Sequence, residues 1–210
     1  MKDALTFWDG IAPKYATTPI SDMQGYEATL ARTRSYLKQD DHVLEIGCGT
    51  GRTALQLAPT VGEIVATDLA PAMLDVGREE AWNDGIKNIR FAQCDALNPP
   101  EGPYDVVLAH NILHLVEDLP GVLRASHAVL KPGGLLISKT FVRPSGGINF
   151  KARAMMAILP VLQWLGKAPF VKVHSRASFE ASFRAAGFEI VETGGYPAGA
   201  DRLYLVARKI

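Results

Sequence analysis

Residues 43–51 read Val43-Leu44-Glu45-Ile46-Gly47-Cys48-Gly49-Thr50-Gly51. Val43–Ile46 is a short apolar strand interrupted by one acid, and three alternate glycines follow it. Residues 52–58 then have helical composition, with Pro59 at or just past the end. A strand that runs through a glycine turn into a helix places a ligand at the carboxyl edge of a sheet. The glycines let the backbone approach that ligand and take left-handed angles.

The flanking sequence repeats the alternation. Glu63–Thr67, Ile89–Gln93, Tyr104–Ala109 and Leu135–Phe141 read as further strands, and YDVVLA (104–109) is apolar enough to be covered on both faces. Between them, Pro71 opens a helix that runs to about Gly85. Asp118 caps another that runs to Leu130, where Lys-Pro-Gly-Gly breaks it. Ser175 caps a helix over 176–186 with Gly187 beyond it. Phe188–Thr193 and Arg202–Arg208 form an antiparallel pair joined by a Gly/Pro turn. Residues 4–15 and 24–37 read as two helices of an N-terminal cap, 1–38. Residues 148–165 form an apolar helix broken at Pro160, within an insertion over 142–174. Trp164, Met155 and Met156 read as core. The pattern is an α/β fold, a mostly parallel sheet with helices on both faces, and one domain over 1–210.

Twenty-two basic and 22 acidic residues cancel. The cancellation is uneven: residues 1–118 carry 18 acids and 9 bases, and residues 119–179 carry 9 bases and no acid. A chain without overall basic charge argues against a nucleic-acid partner. The longest strictly apolar run, Ala154–Leu162, is nine residues, short of the ~20 a spanning helix needs. Cys48 and Cys94 are the only cysteines and have no metal-ligand company nearby. Both read as packing residues, no metal site is expected, and a reducing cytoplasm is the expected location.

The glycine spacing identifies the ligand further. A nicotinamide dinucleotide fingerprint wants Gly-x-Gly-x-x-Gly, and Arg52 stands where its third glycine belongs. Glu45, two residues before Gly47, is poor company for a pyrophosphate but suits a cationic amine. Asp68 ends the second strand, where a carboxylate can accept both hydroxyls of a ribose; it can also cap the helix after it. A nucleoside with an amine and no phosphates fits.

With these motifs the sequence resembles the class I S-adenosylmethionine-dependent methyltransferases over about residues 7–209. VLEIGCGTG (43–51), VATDLAPAML (65–74), FAQCDAL (91–97), YDVVLAHNILHLVED (104–118) and LKPGGLLI (130–137) are similar to successive family motifs. The resemblance implies a Rossmann-like seven-stranded sheet of order 3-2-1-4-5-7-6 with strand 7 antiparallel. It implies S-adenosylmethionine as cofactor, held by Gly47, Cys48, Gly49 and Gly51. Leu69 and Met73 would lie near the adenine, and Asp95 would accept from its amine beside Ala96 and Leu97. The backbone at His110 and Asn111 would meet the methionine part. FWDGIAPKY (7–15) is similar to the opening of members that methylate quinone precursors and lipids, in which a tyrosine at the Tyr15 position closes over the cofactor. Many members carry a histidine at the His114 position. A histidine there can be a general base or can pack under the loop.

A sulfonium methyl is already activated, so the protein must mainly align the partners in a dry pocket. The expected acceptor is a small, fairly apolar molecule: a phenol or quinone precursor, a lipid or an amine. The insertion's apolar residues (Phe150, Met155, Ile158, Leu159, Leu162) with Lys151, Arg153, Lys167 and Lys172 around them suit a lid over an apolar or anionic acceptor, a peripheral membrane contact, or a solvated helix face. The chain is a monomer or homodimer on this reading. A sensor that binds the cofactor without transfer, and an NAD(P)-dependent oxidoreductase, are the alternatives.

Overall fold

The computed structural model describes residues 4–143, 158–159, 161–164, 166–196 and 202–210. Met155, Met156, Phe150, Lys151, Arg153 and Pro160, named above for the insertion, lie outside them. Two N-terminal helices, α1 (Ala4–Thr17) and α2 (Met23–Arg34), precede the sheet. There follow β1 (His42–Ile46), α3 (Arg52–Leu57), β2 (Glu63–Asp68), α4 (Pro71–Asn83), β3 (Ile89–Gln93), β4 (Tyr104–His110), α5 (Leu119–Val129) and β5 (Leu130–Arg143). The chain closes with β6 (His174–Ser175), α6 (Arg176–Ala185), β7 (Phe188–Gly194) and β8 (Arg202–Lys209). Residues 158–159 and 161–164 are helical.

The sheet order is β3-β2-β1-β4-β5-β8-β7, with β8 antiparallel to both neighbours. This is the expected Rossmann-like order, with two-residue β6 added beside the end of β5. Side chains alternate between the two faces. Leu44, Ile46, Val107, Ala109 and Leu136 pack with Leu119, Val122 and Leu123 of α5 and Phe179 and Phe183 of α6. On the other face Val43, Ala66, Val106, Leu108 and Ile137 pack with Leu30 of α2 and Ala54 and Leu57 of α3. Glu45 interrupts that second apolar row. Side-chain caps fix where helices begin: Asp22 accepts the Gly25 N–H at 2.9 Å, and Asp118 the Gly121 N–H at 2.9 Å.

Some boundaries differ from the sequence reading. α2 stops at Arg34, because Tyr36 and Leu37 turn back onto the carbonyls of Thr33 and Arg34. Strand β5 begins at Leu130, not Leu135. Lys-Pro-Gly-Gly does not separate it from the sheet: pairing jumps from Tyr104↔Leu130 to Val106↔Leu135, so the segment is absorbed as a bulge. Trp164, expected in the core, is 75% exposed. It shares its exposed helical stretch with Ile158 and Val161. Among the described residues, the bases of 119–179 do not gather on one face. Lys131, the second residue of β5, pairs with Asp105 at 2.6 Å, Arg176 pairs with Glu180 at 2.8 Å, and Lys139 is buried further along β5.

Candidate functional site

The carboxyl ends of β2, β1 and β4 lie side by side. Gly47, Gly49 and Gly51 all have positive φ, of 63°, 56° and 74°. At Gly47 the need is double: besides the left-handed angle, a Cβ there would stand 2.5 Å from Ile112 Cγ1. The Cys48 N–H binds the Thr67 carbonyl at 2.9 Å and ties the loop to β2. The Gly49 N–H donates to Asp68 Oδ2 at 2.8 Å, and the Ala70 N–H donates to Asp68 Oδ1 at 2.9 Å. Asp68 therefore braces the loop and caps the turn into α4 at once. Burial raises its pKa, against the pull of the Ala70 and Gly49 amides.

Glu45 points into the first turn of α3 from beneath the loop and is 2% exposed. The Ala54 amide eases its burial, yet desolvation and then the Asp68 charge push its pKa up to about 8. Its Oε2 has no hydrogen-bond partner among the described residues. An orphaned buried oxygen is costly, of order 1–3 kcal/mol, unless something fills it.

Tyr15, at the end of α1, lies over the loop: a Cβ on Gly49 would be 3.9 Å from its Cε1. Arg52 holds that corner, donating to the Thr18 carbonyl at 2.9 Å and to that of Ala16. Met73 is buried with Ala12 and Ala70 between α1 and α4, and Leu69 is half-buried beside it. Asp9 of α1 accepts the Ala72 N–H at 2.9 Å and caps α4 from outside. Asp95 is exposed and accepts the Leu97 N–H at 2.9 Å, a local turn. Ala96 packs on the core and Leu97 is exposed.

Beyond β4, Asn111 takes a positive φ of 59° while its N–H binds the Lys139 carbonyl at 2.7 Å. His110 is buried with its Nε2 unpartnered among the described residues. Burial, then the Lys139 charge, brings its pKa down to about 4. His114 faces the other side of the sheet: its Nδ1 is 3.1 Å from Thr140 Oγ1, and its ring stands edge-on to Phe141. Burial, then Arg202, lowers its pKa to about 4 as well. The register thus sets Asp68, Gly47 and His110 level at the carboxyl ends of β2, β1 and β4, with Tyr15 over Gly49 and Glu45 beneath the loop, while His114 bonds Thr140. Sequence reasoning missed Lys139, Thr29 and Asp9. Lys139 left a signal, a lysine at an inward position of a buried strand.

These features have relatives. Residues 37–174 match the methyltransferase-domain family. The ubiquinone/menaquinone biosynthesis C-methyltransferase of Coxiella burnetii is 35% identical over 121 residues, 55% of this chain and 48% of its own length. The ubiquinone biosynthesis O-methyltransferase of Ruegeria pomeroyi is 35% identical over 160 residues, 73% of this chain and 62% of its own. The chain spans about half the length of the curated relatives it matches first. A crystal structure of an S-adenosylmethionine-dependent methyltransferase from Aquifex aeolicus superposes with a TM-score of 0.72 at 16% identity, over 96% of this chain and 98% of that one. That likeness carries the fold alone. The family match joins the fold to the glycine loop, and the chain belongs to the S-adenosylmethionine-dependent methyltransferases.

Proposed function

We propose that the protein transfers a methyl group to a small, fairly apolar acceptor, of the phenol or quinone-precursor kind. The observation that carries this reading is the unpartnered Glu45 Oε2 beneath a loop whose Gly49 amide is already engaged with Asp68. An acceptor oxygen that lacks a donor fits an ammonium. A carboxylate at the tip of β2 fits a ribose. These residues fit S-adenosylmethionine and do not fit a dinucleotide's pyrophosphate, which a neighbouring carboxylate repels.

In this reading Glu45 meets the amine, Asp68 the ribose hydroxyls, Leu69, Met73, Asp95, Ala96 and Leu97 the adenine side, and His110 and Asn111 backbone the methionine part. Gly47, Cys48, Gly49 and Gly51 let the main chain come close, and Tyr15 closes over the loop. When bound, the cofactor supplies an electrophilic methyl on sulfur. The chain's own work is to fix the geometry and exclude water, worth roughly 7–11 kcal/mol when alignment is complete. His114, neutral and bonded to Thr140, is held as a weak proton acceptor whose pKa lies well below neutral pH.

The acceptor class draws support from relatives named for both C- and O-methylation of quinone precursors. The exposed Ile158, Val161 and Trp164 offer an apolar approach for such a molecule. Among the described residues no helix is long and apolar enough to cross a membrane. The test is a labelled-methyl screen over phenols, quinone precursors, lipids and amines. Acceptor-dependent formation of S-adenosylhomocysteine is expected with the phenolic set. Cofactor binding with no acceptor turnover in any set would mark a sensor instead.

A further inference from the structure

Lys139 lies in the row of β5 that faces α2, and it is 5% exposed. Its Nζ donates to the Gly25 carbonyl at 3.0 Å and to the Thr29 hydroxyl. An ammonium carries three donors, so one remains among the described residues. No ion pair reaches Lys139 among the described residues; Asp22 acts on it through its field alone, and Arg202 opposes that. A buried charge without a counter-charge is expensive, and a pin for α2 would not require one.

His110 is its register partner on β4. Neighbouring strands are about 4.8 Å apart, and parallel partners leave the same face. So a buried ammonium with a spare donor stands beside a buried imidazole with an unpartnered Nε2. His110 ends β4, and Lys139 lies level with it on β5, which runs on to Arg143; the carboxyl ends of such strands are where α/β sheets bind ligands. Along the sheet order one level row runs Asp68, Gly47, His110, Lys139. The cofactor reading uses the first two and only the backbone of the third.

We propose that Lys139 and His110 form an oxyanion subsite for the methyl acceptor. The ammonium faces a carboxylate or phenolate oxygen of an otherwise apolar molecule, and the imidazole donates from Nε2 to the same oxygen. The proposal rests on the methyl-transfer reading above and narrows it: an acidic acceptor is favoured, and an amine is disfavoured by the fixed positive charge. Both residues are specificity-determining on this reading. Burial and the Lys139 charge keep the His110 ring neutral, so it can donate without adding a second buried charge.

The test is calorimetry on the full chain saturated with S-adenosylhomocysteine, using three probes that share one ring: 3,4-dihydroxybenzoate, catechol and 3,4-dihydroxybenzylamine. The benzoate should bind about tenfold or more tighter than the amine. Catechol falling with the benzoate identifies a phenolic oxygen as the group read; catechol falling with the amine identifies the carboxylate. Lys139→Met should erase the preference, and Lys139→Arg should keep it, with S-adenosylhomocysteine affinity unchanged in both. The comparison within the unaltered protein stands even if a variant folds poorly. Equal binding of benzoate and amine, or binding of none of the three while S-adenosylhomocysteine still binds, overturns the subsite. Failure of the unaltered protein to bind S-adenosylhomocysteine overturns the cofactor reading instead.

Discussion

The Gly49 amide and the Asp68 carboxylate share a 2.8 Å hydrogen bond, so the loop after β1 is shaped by the residue that ends β2. The same carboxylate holds the Ala70 amide at 2.9 Å. Asp68→Ala therefore removes two structural bonds together with the proposed ribose contact. It should lower S-adenosylhomocysteine affinity by about tenfold or more and cost about 1–2 kcal/mol of stability. Calorimetry and urea unfolding of the same variant check the two effects. Unchanged affinity with lowered stability would leave Asp68 as a brace only.

Glu45 is held largely protonated at neutral pH, with its pKa raised to about 8 by burial and then by Asp68. An ammonium beside it favours the carboxylate. Binding of S-adenosylhomocysteine near pH 7 should thus release about one proton. Calorimetry in buffers of different ionisation enthalpy measures that number. Glu45→Gln should abolish the release and weaken binding. Equal proton release in both proteins would place the amine elsewhere.

The scaffold was legible because its signals are local. Alternating apolar runs, glycine turns and the caps at Asp118 and Ser175 each act within a few residues, and the strand order followed from the family resemblance. The crevice was legible in its β1 and β2 parts for the same reason. Lys139 left only its inward position on a buried strand, since its partners Gly25 and Thr29 are more than a hundred residues away. Trp164 was misjudged because apolar periodicity names a face without naming what covers it. The extension of β5 through Lys-Pro-Gly-Gly depended on a register jump against Tyr104, which no local pattern encodes.

Three buried groups give the ligand-free protein a stability optimum. His110 and His114 have pKa values near 4 in the fold against 6.5 unfolded, so below pH 6.5 the unfolded chain takes up protons that the native one refuses. Stability falls there, each histidine contributing of order 3 kcal/mol at most. Glu45 works the other way: it keeps its proton in the fold to about pH 8 and loses it near 4.5 when unfolded. Rising pH between those values therefore destabilises the fold. In the range 4.5–6.5 two histidines outweigh one glutamate; above 6.5 the glutamate leads, until Lys139, whose pKa burial and then Arg202 bring down from 10.5 to about 8, begins to oppose it near pH 8. Urea midpoints should peak near pH 6.5 on this account. Glu45→Gln should remove the decline toward pH 8 and leave the acid limb. A decline that survives the substitution would assign it to another group.

Glu192 on β7 gathers Arg32 from α2, Tyr36 from the turn after it and Tyr196 from the loop beyond β7. Arg32 Nε reaches both its oxygens at 3.0 Å. The Arg32 hydrogen bond leads in drawing the Glu192 pKa down to about 2. This contribution is present above pH 4.5 and lost as pH falls toward 2. Arg32 is 37% exposed, so solvent screening limits its worth. Glu192→Gln should cost about 1–2 kcal/mol at pH 7. The consequence for function runs through α2, which carries the Gly25 carbonyl and Thr29 hydroxyl that hold Lys139. Loosening α2 should speed hydrogen exchange of its amides and raise the KM for an acidic acceptor, while S-adenosylhomocysteine affinity stays near its original value, because the strands that carry Glu45 and Asp68 are held on both edges by their own pairing. A variant that lost both affinities equally would show that α2 supports the whole crevice and not the acceptor end alone.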